Sequence, residues 1–452
     1  MPGSVTAVPR VQILDAAQNP ARFVVVGFSL LIALGAGLLM LPVAYDDAHP
    51  GALAALFMAT SAATVTGLAT IDAEAFSLFG ELVLLALVQV GGFGIMAIGA
   101  VVVSVLSHRL GLRQRMLARS ELGAVEAGEL RGLLGSIVKV TVAVEATIAA
   151  VLTVRLWVSY DENLPSAAYS GVFHAVTAFN NAGISLYSDN LSRFVGDPVV
   201  VMSVTAAIIV GGFGFPVIVE LLRRVPVHRW TLHTRLTLLA TAALLVVGPV
   251  VILVLEWSNT GTLGQLGIGD RFLAAWFQGV SPRTAGFNTV PIDQLREPTT
   301  LFVTTLMFIG AGPASTSGGI KITTFAVLFF ALWAEVRGES DVNVFRRRLS
   351  PATIRQALTV ALLSVAVVIG ASLALITLTD LSLSPALFEA ASAFGTVGLS
   401  AGVTAGLPDS GQLLLVLLML TGRVGPITFF TALALRQHTR AYRYPEERPI
   451  IG

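Results

Sequence analysis

Four short segments of this chain carry residue types that hold a cation through backbone oxygen rather than through side chains. Residues 56–70 read LFMATSAATVTGLAT, and versions return at 172–186 (VFHAVTAFNNAGISL), 275–289 (AWFQGVSPRTAGFNT) and 387–401 (LFEAASAFGTVGLSA). Aligned without gaps, each has an aromatic at its second place (Phe57, Phe173, Trp276, Phe388) and glycine at its twelfth (Gly67, Gly183, Gly286, Gly398). The glycines lie 116, 103 and 112 residues apart. Each copy is shorter than the about 20 residues a helical crossing of a bilayer needs. It reads as a half-helix dipping into the membrane, then an extended return. Such backbone is tolerated at membrane depth only where it is buried in protein or faces water. Four copies meeting on one axis therefore offer rings of carbonyl oxygens that can replace an ion's hydration shell. Glycine opens backbone angles closed to other residues and leaves room for the ion. Each half-helix, the first over about residues 55–62, turns a negative C-terminal end to the axis, which favours a cation.

Side-chain chemistry of other kinds is missing from the sequence. There is no cysteine, which excludes disulfides, thiolate catalysis and thiolate metal sites. The six histidines form no H-x-x-x-H or H-E-x-x-H pair, and His174 reads as a packed residue of a half-helix. No G-x-x-x-x-G-K-[ST] occurs; Gly318-Gly319-Ile320-Lys321 lacks the spacing and the preceding strand. Nor is there a dinucleotide fingerprint in a βαβ setting. The expectation is a chain that is not an enzyme and binds no nucleotide itself.

The elements that position the four copies are membrane spans. Hydrophobic residues make up 55% of the chain and charged residues 12%, with a mean hydropathy of +0.81. Soluble domains carry about 25% charge. The net charge of +1 gives no reason to expect nucleic acid. Apolar runs flank each copy: 21–42 and 81–106, 136–158 and 199–222, 236–255 and 300–333, 354–377 and 412–435. The predicted fold is an all-α integral membrane protein of four span–re-entrant loop–span repeats. It has eight spans and four half-helices, with repeats at 21–107, 136–222, 236–333 and 354–435, and tails at 1–20 and 436–452. The first tail is polar and lacks a signal-peptide pattern.

Charges orient the bundle. Arginines cluster after each second span: Arg109, Arg113, Arg115 and Arg119; Arg223, Arg224, Arg229 and Arg235; Arg337 and Arg346 to Arg348; Arg436, Arg440, Arg443 and Arg448. Segments flanking the copies are mainly acidic, with Asp46, Asp47, Asp161, Glu162, Asp189, Asp197, Glu256, Asp293, Glu297 and Asp380, while Arg193, Arg271 and Arg296 fall there singly. The positive-inside rule places both termini and the arginine-rich loops in the cytoplasm, so the copies enter from outside.

Below the copies lie Gly91-Gly92-Phe93-Gly94, Gly211-Gly212-Phe213-Gly214 and Gly422-Arg423-Val424-Gly425, at matching places in three second spans. The third repeat has GAGPASTSGG instead: Gly310, Ala311, Gly312, Pro313, Ala314, Ser315, Thr316, Ser317, Gly318 and Gly319. Gly, Pro, Ser and Thr in succession break a helix, so this span is expected to split around a loop beneath the copies that can block the path. Arg423 lies in an apolar run where a charge is expensive and faces a cavity or a partner. Two roles are open to it: an electrostatic barrier to resting cation flow, or a structural ion pair with no part in conduction. Lys321 is placed to snorkel to the cytoplasmic surface. Glu145, Lys139 and Arg155 are expected to pair across helices. Glu389 either concentrates cations or serves as a structural acceptor.

ATVTGLA, FNNAGIS, PRTAGFN and FGTVGLS resemble the four filter loops of the Ktr/Trk/HKT superfamily of potassium transporters, and the resemblance runs from about residue 21 to 435. With no extra N-terminal spans, the chain is most similar to the shorter Ktr-type membrane subunit. The resemblance implies a filter of Thr64, Val65, Thr66, Gly67, Asn181, Ala182, Gly183, Thr284, Ala285, Gly286, Thr396, Val397 and Gly398. It also implies a gate of residues 310–319 with Arg423. Glycine in the first filter goes with potassium in this superfamily and serine with sodium, so Gly67 implies K+ as the transported ion. Asn180, Asn181 and Arg283 make the loops unequal, which implies looser selectivity than a symmetric tetramer has, with Na+ as a possible second ion. The family further implies a homodimer in the bacterial inner membrane, surrounded by lipid, with a cytosolic nucleotide-binding RCK-type ring docked on the arginine-rich face. Two other readings stay open: an alternating-access cation symporter, and a receptor or scaffold that conducts nothing.

Overall fold

The computed structural model describes residues 20–46, 50–109 and 127–425. Within them the chain is helical: Pro20–Leu39 (α1), Ala52–Ala63 (α2), Leu78–Arg109 (α3), Ala127–Ser159 (α4), Leu164–Phe179 (α5), Pro198–Phe213 (α6), Phe215–Leu222 (α7), Leu232–Glu256 (α8), Ile268–Val280 (α9), Glu297–Phe308 (α10), Ile322–Val336 (α11), Pro351–Leu378 (α12), Leu383–Gly395 (α13) and Asp409–Val424 (α14). A two-residue antiparallel pair, Asn343–Val344 (β1) and Arg347–Arg348 (β2), lies between α11 and α12. Helix starts follow local rules. Asn163, Asp197, Thr231 and Ser350 accept backbone N–H groups at the starts of α5, α6, α8 and α12, and proline opens α5, α6, α7, α10 and α12.

The four copies supply the short helices α2, α5, α9 and α13. Each second span touches not only its own repeat but the short helix of the next: α3 with α5, α6 with α9, α10 with α13. The series closes, because α14 packs on α2. Four short helices thus stand in a circle, each wedged between spans of neighbouring repeats.

Burial is inverted relative to a water-soluble protein. Thr60, Ser61, Thr64, Thr66, Asn180, Asn181, Thr284 and Thr396 are buried at the centre, while Leu30, Val246, Val254, Leu332 and Leu362 point outward at 63–71% exposure. Apolar side chains in such continuous outward bands require a lipid surround. Among the described residues, Leu78–Ala97, Leu134–Ser159, Leu232–Glu256 and Pro351–Leu378 are long and apolar enough to cross a membrane. The pair α6 and α7, bent by 100°, makes a fifth if it is counted as one span.

The apolar run 199–222 is thus two helices with a break between them. Gly214 leaves the helix at φ 83° and ψ 146°, and Pro216 then starts α7. Of the other expected spans, the third repeat's second span is two helices, α10 and α11, joined by residues 309–321, and α14 is described only to Val424. The tails 1–19 and 426–452, with Arg436, Arg440, Arg443 and Arg448, lie outside the described residues, as do Asp47, Arg113, Arg115 and Arg119.

Candidate ion pathway

The four glycines converge. A Cβ built on Gly67 would stand 3.3 Å from Gly183 Cα, one on Gly183 2.6 Å from Gly286 Cα, one on Gly286 3.2 Å from Gly398 Cα, and one on Gly398 3.1 Å from Gly67 Cα. The ring closes in chain order. Each of those Cβ positions would also collide with the carbonyl oxygen preceding the neighbouring glycine: Ala182, Ala285, Val397 and Thr66 in turn. All four glycines have positive φ, at 94°, 65°, 75° and 95°. Two residues earlier, Val65, Asn181, Thr284 and Thr396 are also left-handed, at 55°, 60°, 76° and 49°. The residue between is not. Left-handed backbone alternating with ordinary backbone swings successive carbonyls to one side of the chain, which is how a short segment presents several oxygens to one axis. Non-glycine residues rarely adopt positive φ, so its recurrence at one aligned position in four loops marks a shared design.

Hydrogen bonds hold the loops in that shape. The N–H of Thr66 donates to Ser61 O at 2.7 Å, Ala182 to Thr177 O at 2.8 Å and Val397 to Ser392 O at 2.8 Å; the third loop closes one residue tighter, Ala285 to Ser281 O at 2.9 Å. The first and fourth loops share a further device, since Ser61 Oγ accepts from Gly67 N–H at 3.0 Å and Ser392 Oγ from Gly398 N–H at 3.1 Å. In the third copy Phe277, not Trp276, is the fully buried aromatic. Helices α2, α5, α9 and α13 end three to six residues before their glycines, so four negative helix ends face the ring.

Residues behind the ring are mostly structural acceptors. Glu389 accepts from Ser400 Oγ at 2.6 Å, Thr404 Oγ1 at 2.8 Å and Ala401 N–H at 2.9 Å, tying the return segment to α13. His174 contacts Ser170 O and Ser185 Oγ and stacks on Tyr187. Glu145 pairs across helices with uncharged groups, accepting from Gln89 Nε2 and Asn180 Nδ2, both at 3.3 Å. Arg155 pairs with Asp197 at 2.7 Å, crossing from α4 to the start of α6. Burial pushes the Asp197 carboxyl up, but bonds from Arg155, Tyr160 and the Val199 and Val200 amides outweigh it and leave the group below its ordinary value. Nothing in the spacing of Gln89, Glu145 and Asn180 signalled their cluster. Ser61 and Ser392 were missed, although each lies six residues before its glycine and that shared spacing was the signal.

Beneath the ring, residues 309–321 turn back into the bundle. The loop is tied to each of the glycine clusters: Arg423 Nη2 donates to Gly91 O at 3.0 Å while Nη1 donates to Thr316 O, Gly312 N–H donates to Gly212 O at 2.8 Å, and Gly319 N–H donates to Gly422 O at 3.3 Å. Arg423 is 3% exposed, and its guanidinium spans from the loop to α3. Lys321 does not reach outward as expected; Nζ turns back to Ser317 O at 2.5 Å, capping the loop's carbonyls. No group of three or more histidine or acidic side chains able to hold a metal ion occurs among the described residues.

The sequence matches the TrkH family, described as cation transport protein, over residues 4–440. The chain belongs to this family. Among TrkH-family relatives, it is 39% identical over 435 residues to Ktr system potassium uptake protein B of Bacillus subtilis, covering 96% of this chain and 97% of that one. It is 39% identical to the protein of the same description from Vibrio alginolyticus, covering 95% and 94%. It is also 31% identical to the potassium/sodium uptake protein NtpJ of Enterococcus hirae, covering 96% and 97%. The crystal structure of the potassium transporter TrkH from Vibrio parahaemolyticus superposes with a TM-score of 0.73 at 18% identity, covering 92% of this chain and 84% of that one, which establishes a shared fold.

Proposed function

We propose that this chain is the potassium-translocating membrane subunit of a Ktr-type uptake system. The closed ring of four glycines, each against its neighbour's carbonyl, carries this reading. A cation arriving from the acidic outer side sheds water where Thr64 to Gly67, Asn181 to Gly183, Thr284 to Gly286 and Thr396 to Gly398 supply backbone oxygens in its place. Four helix ends hold negative potential there at no cost in side-chain charge. Residues 310–319 close the path below, and Arg423 both pins that loop and sets a fixed positive charge in the way of a resting ion.

The architecture behind this reading is eight spans and four half-helices in repeats 21–107, 136–222, 236–333 and 354–435. Both termini lie in the cytoplasm of a bacterial plasma membrane. The arginine-rich face receives a cytosolic RCK-type regulatory ring that reads a nucleotide, and two copies of the chain pair in the lipid. Full-length similarity to proteins named Ktr system potassium uptake protein B supports the Ktr assignment. A relative named for both potassium and sodium supports Na+ as a second ion, and Na+-coupled symport as the alternative. The test is uptake by cells lacking their own potassium systems, expressing the full chain with and without a cytosolic nucleotide-binding partner. Growth at low potassium and K+ uptake are expected; absence of uptake in both arrangements, with the protein present in the membrane, would overturn the assignment.

A further inference from the structure

Thr316 has every polar atom engaged. Its N–H lies 3.4 Å from Gly211 O, and its carbonyl accepts from Arg423. Its hydroxyl lies 3.2 Å from Gly211 O and 3.3 Å from Phe179 O, the carbonyl that ends α5. That same hydroxyl accepts from Asn181 Nδ2 at 2.6 Å. Asn181 is the left-handed residue of the second ring loop, φ 60°, and both residues are essentially buried. At the three aligned positions stand Val65, Thr284 and Thr396. Among the described residues, none of these makes a side-chain hydrogen bond to residues 309–321, and the Thr284 and Thr396 hydroxyls have no partner. One ring loop is therefore wired to the segment beneath it.

The wiring has a consequence for the ring. Asn181 Oδ1 already lacks a partner, so the bond to Thr316 is what fixes this side chain. Asparagine tolerates a left-handed backbone through local hydrogen bonding, where most residues do not. Moving Thr316 leaves a buried amide without partners at the left-handed residue of this ring loop, and the loop must relax to satisfy it. A carbonyl ring discriminates by how many oxygens it offers and how they are held.

Resting on the gate-and-filter reading above, we propose that the Asn181–Thr316 bond makes the second loop's geometry follow the gate segment, so that ion preference changes as the gate moves. Asn181 is a positioning residue for ion discrimination, and Thr316 is the element that reports to it.

The experiment reconstitutes the full chain in proteoliposomes and measures K+ and Na+ fluxes separately. Thr316→Val removes the hydroxyl at nearly constant volume. Asn181→Gly removes the side chain while keeping the backbone angle accessible. Each is expected to lower the K+:Na+ flux ratio about fivefold, the equivalent of one net hydrogen bond. Thr316→Ser restores the ratio, and the double variant falls no further than either single one. A ratio unchanged in both single variants, or a double variant equal to the product of the two, overturns the proposal. If a variant carries no ion, K+ and Na+ midpoints for protection against thermal unfolding in detergent give the same ratio and are judged the same way. Wild-type protein that carries neither ion refutes the underlying reading instead, which separates the two failures.

Discussion

Replacing Gly67 or Gly398 by alanine tests the ring most directly. Both have φ near 95°, beyond the small left-handed region of about 50–70° open to residues with a Cβ. Holding an L-residue on that side costs about 1–2 kcal/mol. That alone lowers the population of the closed ring about five- to thirtyfold. The added methyl also meets a carbonyl of the proposed filter: Ala182 O for Gly67→Ala, and Thr66 O for Gly398→Ala. Because those neighbours are backbone, the carbonyl itself must swing away. The two effects act in the same direction, so the expected loss in K+ over Na+ discrimination is tenfold or more, on the scale of about 1.4 kcal/mol per decade. Gly370→Ala is the control, since a Cβ there meets nothing within 4 Å and the residue lies inside α12. That change leaves discrimination untouched and stabilises the helix slightly. The assay is K+ flux into proteoliposomes against rising Na+, with thermal unfolding followed in parallel. If Gly67→Ala and Gly398→Ala fold normally and still discriminate like the parent, the glycines do not form the coordinating ring.

Arg423→Gln should raise resting K+ flux on the order of tenfold, because two hydrogen bonds from a charged donor that pin the loop to α3 are lost. Thallium flux without a regulatory partner reads this, and a fall in flux with the fold intact would refute the barrier role. Asp197→Asn should flatten the acid limb of stability. The carboxyl is held below its ordinary value, so its contribution is complete above the ordinary aspartate pKa and is lost as pH falls through the lowered one. Asparagine keeps the cap on α6, so a thermal midpoint that still falls with the parent slope under acid would show that the Arg155–Asp197 pair is not its source.

The repeats were readable because each copy repeats the same physical problem: a helix end, a left-handed turn and a glycine. Their alignment alone located the converging backbone. The split of α10 from α11 was readable too, since Gly310 to Gly319 cannot sustain a helix. The break at Gly214 was not. GGFG is identical at 91–94 and 211–214, yet only the second copy leaves the helix, where Phe215 N–H finds Ala314 O at 3.1 Å and Pro216 follows. Pro216, where the first copy has Met96, is the local difference between the two, and the distant Ala314 carbonyl supplies a partner for the amide that the break frees. Lys321 was misjudged for a related reason. Its charge was assigned to the cytoplasmic surface, whereas it found an uncharged partner close at hand in the Ser317 carbonyl.

The third repeat breaks the symmetry of the other three. In the other three, the first glycine of the cluster lets the second span press onto the end of the preceding short helix. A Cβ at Gly91, Gly211 or Gly422 would collide with the carbonyl of Ala63, Phe179 or Phe394, and these three occupy the same aligned place. The corresponding place in the third copy is Pro282, and Gly310 faces Gly318 O, within its own loop. Released from that close contact, the span between Phe308 and Ile322 is free to fold inward, and the space it enters is walled by the three intact contacts. Two of the glycines that hold spans against the ring, Gly211 and Gly422, together with Gly212, therefore supply the carbonyls to which the third repeat's loop is bound. Moving the loop would then strain the supports of the ring itself, so on the proposed gate-and-filter reading the two functions share one set of bonds.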